Sequence, residues 1–161
     1  MVIRGKVWIF GDDINTDLII PARFLISSHP EELGKNLFAD LIPGFSQKIE
    51  RGDVIVAGKN FGCGSSREQA PQAIKYAGLA AVIAKSFARI FYRNAINQGL
   101  MLVEADTSSI NDGDELAIDL EKNKIKDFTH NREIEMKPLP PLMQEIIKMG
   151  GAVEYFKKYG L

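Results

Sequence analysis

The sequence predicts a mixed α/β fold in one domain covering residues 1–161. Three observations carry that prediction. Between residues 53 and 105, short apolar runs alternate with helical segments, the rhythm of parallel strands joined by crossover helices. At 114–128, "DELAIDLEKNKIKDF" places two extended runs around a Lys/Asn turn, the pattern of a hairpin. The chain's 161 residues, 45% hydrophobic and 25% charged, suffice to bury a core without disulfide help.

The elements follow in order. "VIRGKVWIF" (2–10) is rich in β-branched and aromatic residues and predicts a strand, ending in the turn-rich "GDDINTD" (11–17). Pro30, followed by Glu31 and Glu32, marks a helix start within a less regular stretch at 18–51. "DVIVAG" (53–58) predicts a buried strand and "SSREQAPQAIKYAG" (65–78) a helix closed by Gly78. "LAAVIAK" (79–85), "SFARIFYRNAINQG" (86–99) and "LMLVEA" (100–105) repeat the strand–helix–strand alternation. "REIEMKPL" (132–139) alternates and adds a strand. "PPLMQEIIKMGGAVEYFKK" has helical periodicity broken by Gly150 and Gly151. Mixed sheet layers with flanking helices result, not a doubly wound nucleotide fold.

Composition narrows the function. A net charge of −1 gives no electrostatic reason for nucleic acid or an anionic membrane. No run approaches the roughly 18 apolar residues of a spanning helix, and the N-terminal stretch lacks a signal-peptide pattern, so the expected location is the cytoplasm. The one cysteine, Cys63, cannot form an internal disulfide, nor hold an iron–sulfur cluster or structural zinc unaided. His29 and His130 have no metal-ligand spacing. No metal site is expected on this chain.

The chemistry concentrates in "KNFGCGSSREQAP" (59–71). It lacks the Gly-x-x-x-x-Gly-Lys-[Ser/Thr] spacing of a phosphate loop and the third glycine of a dinucleotide fingerprint. Ser65-x-x-Glu68 is a capping box. Pro71 argues for a later helix start, nearer Ala70, because an interior proline costs about 3 kcal/mol. The alternative is an anion site, with bare glycine backbone, two hydroxyls and the carboxylate-matching fork of Arg67. No neighbouring histidine supplies a hydrolase-type base. Asn15-Thr16-Asp17 alone reads as an Asx-type turn.

"GKNFGCGSSRE" resembles the signature of the aconitase superfamily's swivelling domain, in particular the separate small subunits of isopropylmalate isomerases and related homoaconitases. "GDDINTDLIIP" resembles that family's Asn-Thr-Asp loop, and "AKSFARIFYRNAINQGL" its second helix and following strand. The three motifs keep the family's order and together cover roughly the first 105 residues. The resemblance implies a β/β/α swivelling domain and a hydro-lyase that isomerises 2-isopropylmalate to 3-isopropylmalate through isopropylmaleate, in leucine biosynthesis. It implies that Ser65 is the base and Arg67 the carboxylate clamp, with Ser66, Thr16 and Asp17 at the same cleft. No role for Arg89 or Arg93 is carried over.

The family's specificity loop aligns with Phe24-Leu25-Ile26-Ser27. Its third position is arginine in homoaconitase-like relatives and aliphatic in isopropylmalate-specific ones. Ile26 fits an isopropyl group, because a carboxylate facing isoleucine would go unpaired. Arg23 lies close enough to offer a distal carboxylate a partner if the loop bends otherwise. The implied partner is a large subunit carrying a [4Fe–4S] cluster, without which the chain should be inactive. Exposed partner-binding surface would let the isolated subunit self-associate. A homoaconitase-type small subunit and a non-catalytic anion-binding module are the alternatives.

Overall fold

The computed structural model describes residues 2–26 and 29–160. Strands β1 (Val2–Ile9), β2 (Val54–Ala57), β3 (Ala81–Ala84), β4 (Met101–Glu104), β5 (Glu115–Asp119), β6 (Lys124–Asp127) and β7 (Arg132–Glu135) form one sheet in the order β4-β3-β2-β1-β5-β6-β7. The β4-β3-β2-β1 half is parallel, and β1-β5-β6-β7 is an antiparallel meander. Strand β1 serves both halves, pairing Val2–Lys6 with β5 and Val7–Ile9 with β2.

The two halves differ as their sequences demand. Every residue of β2 and β3 is buried, which is why those strands read as unbroken apolar runs rather than alternating ones. Strand β7 alternates between half-buried and exposed, as a strand with one wet face must. The predicted hairpin forms between β5 and β6, with Asn123 at the positive φ of its turn.

The crossover helices are α4 (Gln69–Ala77) and α5 (Arg89–Asn97). Before them lie α1 (Thr16–Ile19), a 3₁₀ turn at Ala22–Phe24, α2 (Pro30–Lys35) and α3 (Phe45–Lys48). The chain closes with α6 (Pro141–Lys148) and α7 (Ala152–Tyr159), separated at Gly150 and Gly151 as the periodicity indicated. Proline opens α2 at its first position, and Gly78 ends α4 in the left-handed conformation. No helix among the described residues is long and apolar enough to cross a membrane.

Both crossover helices start inside the segments predicted for them, α4 near Ala70 as Pro71 argued and α5 three residues in. Helix α4 begins at Gln69, not within Ser65-Ser66. Pro71 therefore occupies its third position, where the amide has no intrahelical acceptor to lose. Helix α5 begins at Arg89 because residues 86–88 extend the sheet: Phe61 and Phe87 form a parallel bridge, and the Ala88 amide donates to the Phe61 carbonyl at 2.9 Å.

At the antiparallel end, Asp114, Asp127 and His130 gather with side-chain ligand atoms within 4.8 Å of one another. His130 Nδ1 lies 3.0 Å from Asp127 Oδ2 and 3.4 Å from Asp114 Oδ2, and Arg132 Nε donates to Asp127 Oδ2 at 3.1 Å. Burial pushes the Asp127 carboxyl up, but hydrogen bonds from His130 and Arg132 outweigh it and hold the group below its ordinary 3.8. A carboxyl depressed by folding adds stability above its unfolded pKa and loses it as the pH falls through the folded one. Asp127→Asn should therefore lower the unfolding free energy by about 1–3 kcal/mol at pH 7. The deficit should shrink below pH 3.8, as followed by urea denaturation. An equal deficit at pH 7 and pH 3 would contradict this account.

Candidate active site

The site is built where parallel strands end, at the carboxyl edge on which open α/β sheets place their ligands. Past the end of β1, the Asp13 amide donates to the Lys59 carbonyl at 2.8 Å, and the Thr16 amide to that of Cys63 at 2.9 Å. In return, the Gly62 amide donates to the Ile14 carbonyl at 2.8 Å. On the other flank, the Phe61 amide donates to Ser86. Backbone pairing thus continues beyond the strands and clamps residues 58–63 from both sides. Gly62 has φ +84°, and a Cβ there would lie 2.2 Å from Cγ of Phe91. Only glycine lets the loop rest on the first turn of α5.

The capping box does not form. Glu68, not Ser65, occupies the N-cap of α4, in helical geometry and without a side-chain cap bond. Ser65 and Ser66 are exposed, and among the described residues neither hydroxyl has a hydrogen-bond partner. Residues 64–68 form no helix, so the reciprocal geometry a capping box needs is missing. Both hydroxyls are left to the cleft.

Thr16 is 97% buried, its Oγ1 donating to the Ser65 carbonyl at 2.8 Å. Asn15 accepts from the Leu18 amide at 2.8 Å and so caps α1. The Asx geometry expected of Asn15-Thr16-Asp17 is real, and it starts a helical turn that docks on the serine loop. Arg67 reaches across to the same segment: Nη1 donates to the Ile20 carbonyl at 2.9 Å and to Asp17 Oδ1 at 3.1 Å. The Asp17 side chain is 67% exposed and that of Arg67 17%. An ion pair with one partner so wet is screened and stabilises by no more than about 1 kcal/mol. A substrate carboxylate can compete for this guanidinium, whose Nε–Nη2 edge has no acceptor among the described residues.

A cleft of about 280 Å³ collects Thr16, Ser65, Ser66, Arg67, Arg89 and Phe91 among its walls. The structure thus brings together Ser65, Ser66, Arg67 and Thr16, with Asp17 behind Arg67. Phe24, Leu25 and Ile26 do not line this cleft. Phe24 and Leu25 pack partly against the core, while Ile26 is 94% exposed. Ser27, the last position of the aligned loop, lies outside the described residues. Arg23 is committed elsewhere: its guanidinium stacks 4.5 Å from the Phe24 ring centroid and forks onto Asp40 at 2.9 and 2.5 Å. That contact raises the Arg23 pKa and holds the Asp40 carboxyl below its usual range.

Arg89 is the cleft residue that motif reading passed over. The available signal was an arginine opening a helix, "SFARIF", with no acidic residue beside it. A second cavity of about 360 Å³ lies on its other side, lined by Arg89, Tyr92, Glu104, Lys137 and Met143 among others. There, burial first and Glu104 second push the Tyr92 phenol up, so it stays protonated at neutral pH. Neither serine reaches that cavity.

Comparison with known proteins places these features in context. Residues 43–108 match the family described as the aconitase C-terminal domain. The chain is 54% identical over 160 residues to the 3-isopropylmalate dehydratase small subunit of Thermodesulfovibrio yellowstonii, covering 98% of this chain and 95% of that one. It is 55% identical over 161 residues to 3-isopropylmalate dehydratase small subunit 2 of Archaeoglobus fulgidus, covering 99% and 98%. The crystal structure of a Methanocaldococcus jannaschii 3-isopropylmalate dehydratase superposes with a TM-score of 0.95 at 52% identity, covering 99% and 95%.

The Thr16 hydroxyl should hold the serine loop. Thr16→Val keeps the shape and removes the donor to the Ser65 carbonyl, so it should lower the unfolding free energy by about 1 kcal/mol. Thr16→Ser should keep most of it. Equal stability of Thr16→Val and the parent in urea denaturation would show that the bond does not anchor the loop.

Proposed function

The chain belongs to the family of 3-isopropylmalate dehydratase small subunits, and from that premise we propose that it supplies the base and carboxylate clamp for interconverting 2-isopropylmalate and 3-isopropylmalate through isopropylmaleate, the isomerase step of leucine biosynthesis. A small subunit works with a large one, and the active enzyme is the heteromer. The observation that carries this reading is the state of Ser65: a hydroxyl that the sequence pattern assigns to a helix cap caps nothing, and sits exposed beside Arg67.

Each residue then has a role. Arg67 holds the carboxylate next to the carbon that loses its proton, offering a fork whose two parallel N–H groups match that anion. The alkoxide of Ser65 takes the proton, the electron pair becomes the new double bond, and hydroxide leaves the neighbouring carbon. Rehydration returns the proton from the Ser65 hydroxyl to the carbon that lost hydroxide, while a water adds its hydroxide at the other and its remaining proton neutralises the hydroxide that departed. Nearby Arg67 and the free amides of the serine loop favour the alkoxide electrostatically. Ser66 contributes its hydroxyl or amide to the substrate, Thr16 supports the loop from behind, and Asp17 holds Arg67 until substrate competes for it.

Stabilising the departing hydroxide calls for a Lewis acid. The donors of this chain do not fit an iron–sulfur cluster, since its one cysteine stands against the several thiolates a cluster takes. The cluster is therefore assigned to the large subunit. Ile26 does not line the cleft of this chain alone and is 94% exposed; its assignment to the substrate's isopropyl group rests on the family's specificity loop and requires the heteromer to bring it to the substrate. The Arg23–Asp40 fork favours this reading over a homoaconitase-type one, because it gives the alternative cation of the loop a carboxylate partner of its own.

Reconstitution with the large subunit tests the proposal. Ser65→Ala should lower kcat by about 10²–10⁴-fold, the contribution of a positioned base, with substrate binding largely kept; near-normal turnover would reject Ser65 as the base. Ile26→Arg should shift kcat/KM at least about tenfold toward a substrate with a distal carboxylate. If the parent heteromer prefers tricarboxylates to isopropylmalate, the substrate assignment fails.

A further inference from the structure

We propose that Arg89 is a second anion-binding residue of the cleft, and that it makes the site select dicarboxylates over monocarboxylates. The inference rests on the reading of the substrate as an isopropylmalate dianion.

Charge within the cleft carries the argument. Arg67 is paired with Asp17 at 3.1 Å, so the two together bring almost no net charge to an incoming dianion. Arg89 lines the same cleft, is exposed, and has no carboxylate partner among the described residues. Glu104, which shares the neighbouring cavity with Arg89, is already held by Lys137 Nζ at 3.4 Å. Arg89 is thus the one unpaired cation facing the serine loop among the described residues.

Its position is also locally unfavourable. Arg89 is the first residue of α5, where the helix dipole presents positive potential that a cation opposes. No acidic residue in the first turn offsets it, and the N-cap, Ala88, offers no side-chain acceptor. Nothing in the fold compensates for the arginine, since neither face of it makes a hydrogen bond or ion pair among the described residues. Local choices that conflict with the fold mark functional positions. An anion between Arg89 and Arg67 removes the conflict, and a dicarboxylate supplies two anionic groups for the two guanidinium ions.

The reconstituted heteromer provides the test, with maleate and butyrate as competitive probes. Arg89→Ala should raise KM for 2-isopropylmalate about 10- to 100-fold, the range for a lost charge-assisted hydrogen bond, with kcat changed much less, as uniform binding requires. It should weaken inhibition by maleate to a similar degree and leave inhibition by butyrate unchanged. Arg89→Lys should restore part of the loss with the melting temperature unchanged, and Arg89→Ala should leave the melting temperature no lower than the parent's, since it removes a cation from the helix N-terminus. An unchanged KM, or equal weakening of maleate and butyrate inhibition, would overturn the proposal while leaving the isomerase reading intact. Failure of the parent heteromer to turn over isopropylmalate would overturn both.

Discussion

The structure depends on backbone pairing that does not stop where the strands do. Beyond β1, β2 and β3 the chain no longer has strand geometry, yet Asp13, Thr16, Gly62, Phe61 and Ala88 still donate their amides to carbonyls of the adjacent segment. These bonds satisfy backbone groups that would otherwise be stranded at a partly buried edge. They also fix three loops relative to one another: the Asn15–Asp17 turn, the serine loop and the entry to α5. A site made of loop residues thereby acquires the rigidity of the sheet. Phe61, Phe87 and Phe91 pack beneath it, the Phe61 and Phe91 rings edge-on at 5.4 Å between centroids, so the clamped segment cannot sink.

Rigidity alone does not make the site reactive. The serine hydroxyls stay free because α4 starts four residues after Ser65, and that delay follows from Pro71, whose missing amide is tolerated only in the first turn. A helix starting at Ser65-Ser66 would have set Pro71 in its interior and drawn the hydroxyls into caps. Electrostatics follow a similar economy. Arg67 is kept in place by an exposed aspartate and a carbonyl, contacts strong enough to orient the guanidinium and weak enough to yield to a substrate carboxylate. The proposed division between two subunits fits this picture: the residues proposed as base and clamp lie at the carboxyl edge of the parallel strands, while the one cysteine of this chain gives no set of thiolates for a cluster.

Much of the fold was legible from local pattern. The apolar runs at 54–57 and 81–84, the hairpin around Asn123, the proline opening α2 and the break at Gly150-Gly151 each follow from period, turn chemistry or the φ a glycine permits. Those are short-range properties of the chain, and they came out as expected. The site was legible as a set of residue types, through motif order, but not as an arrangement. Ser65-x-x-Glu68 satisfies a capping pattern that the structure does not use. Arg89 lies within a motif but was given no role there, and its significance appears only when α5 is seen to begin against the serine loop.

The sequence by itself determined the crossover rhythm of the parallel half, the hairpin of the antiparallel half, the glycine stop of α4, and the family to which Ser65, Arg67 and the Asn-Thr-Asp loop point. Tertiary structure alone decided what those residues are free to do. The bonds that matter join positions 49 and 50 residues apart, Thr16 to Ser65 and Asp17 to Arg67, and no local propensity encodes a contact at that separation. Whether a serine caps a helix or faces a cleft, and whether an arginine is paired or available, is settled by which segments the folded sheet brings side by side.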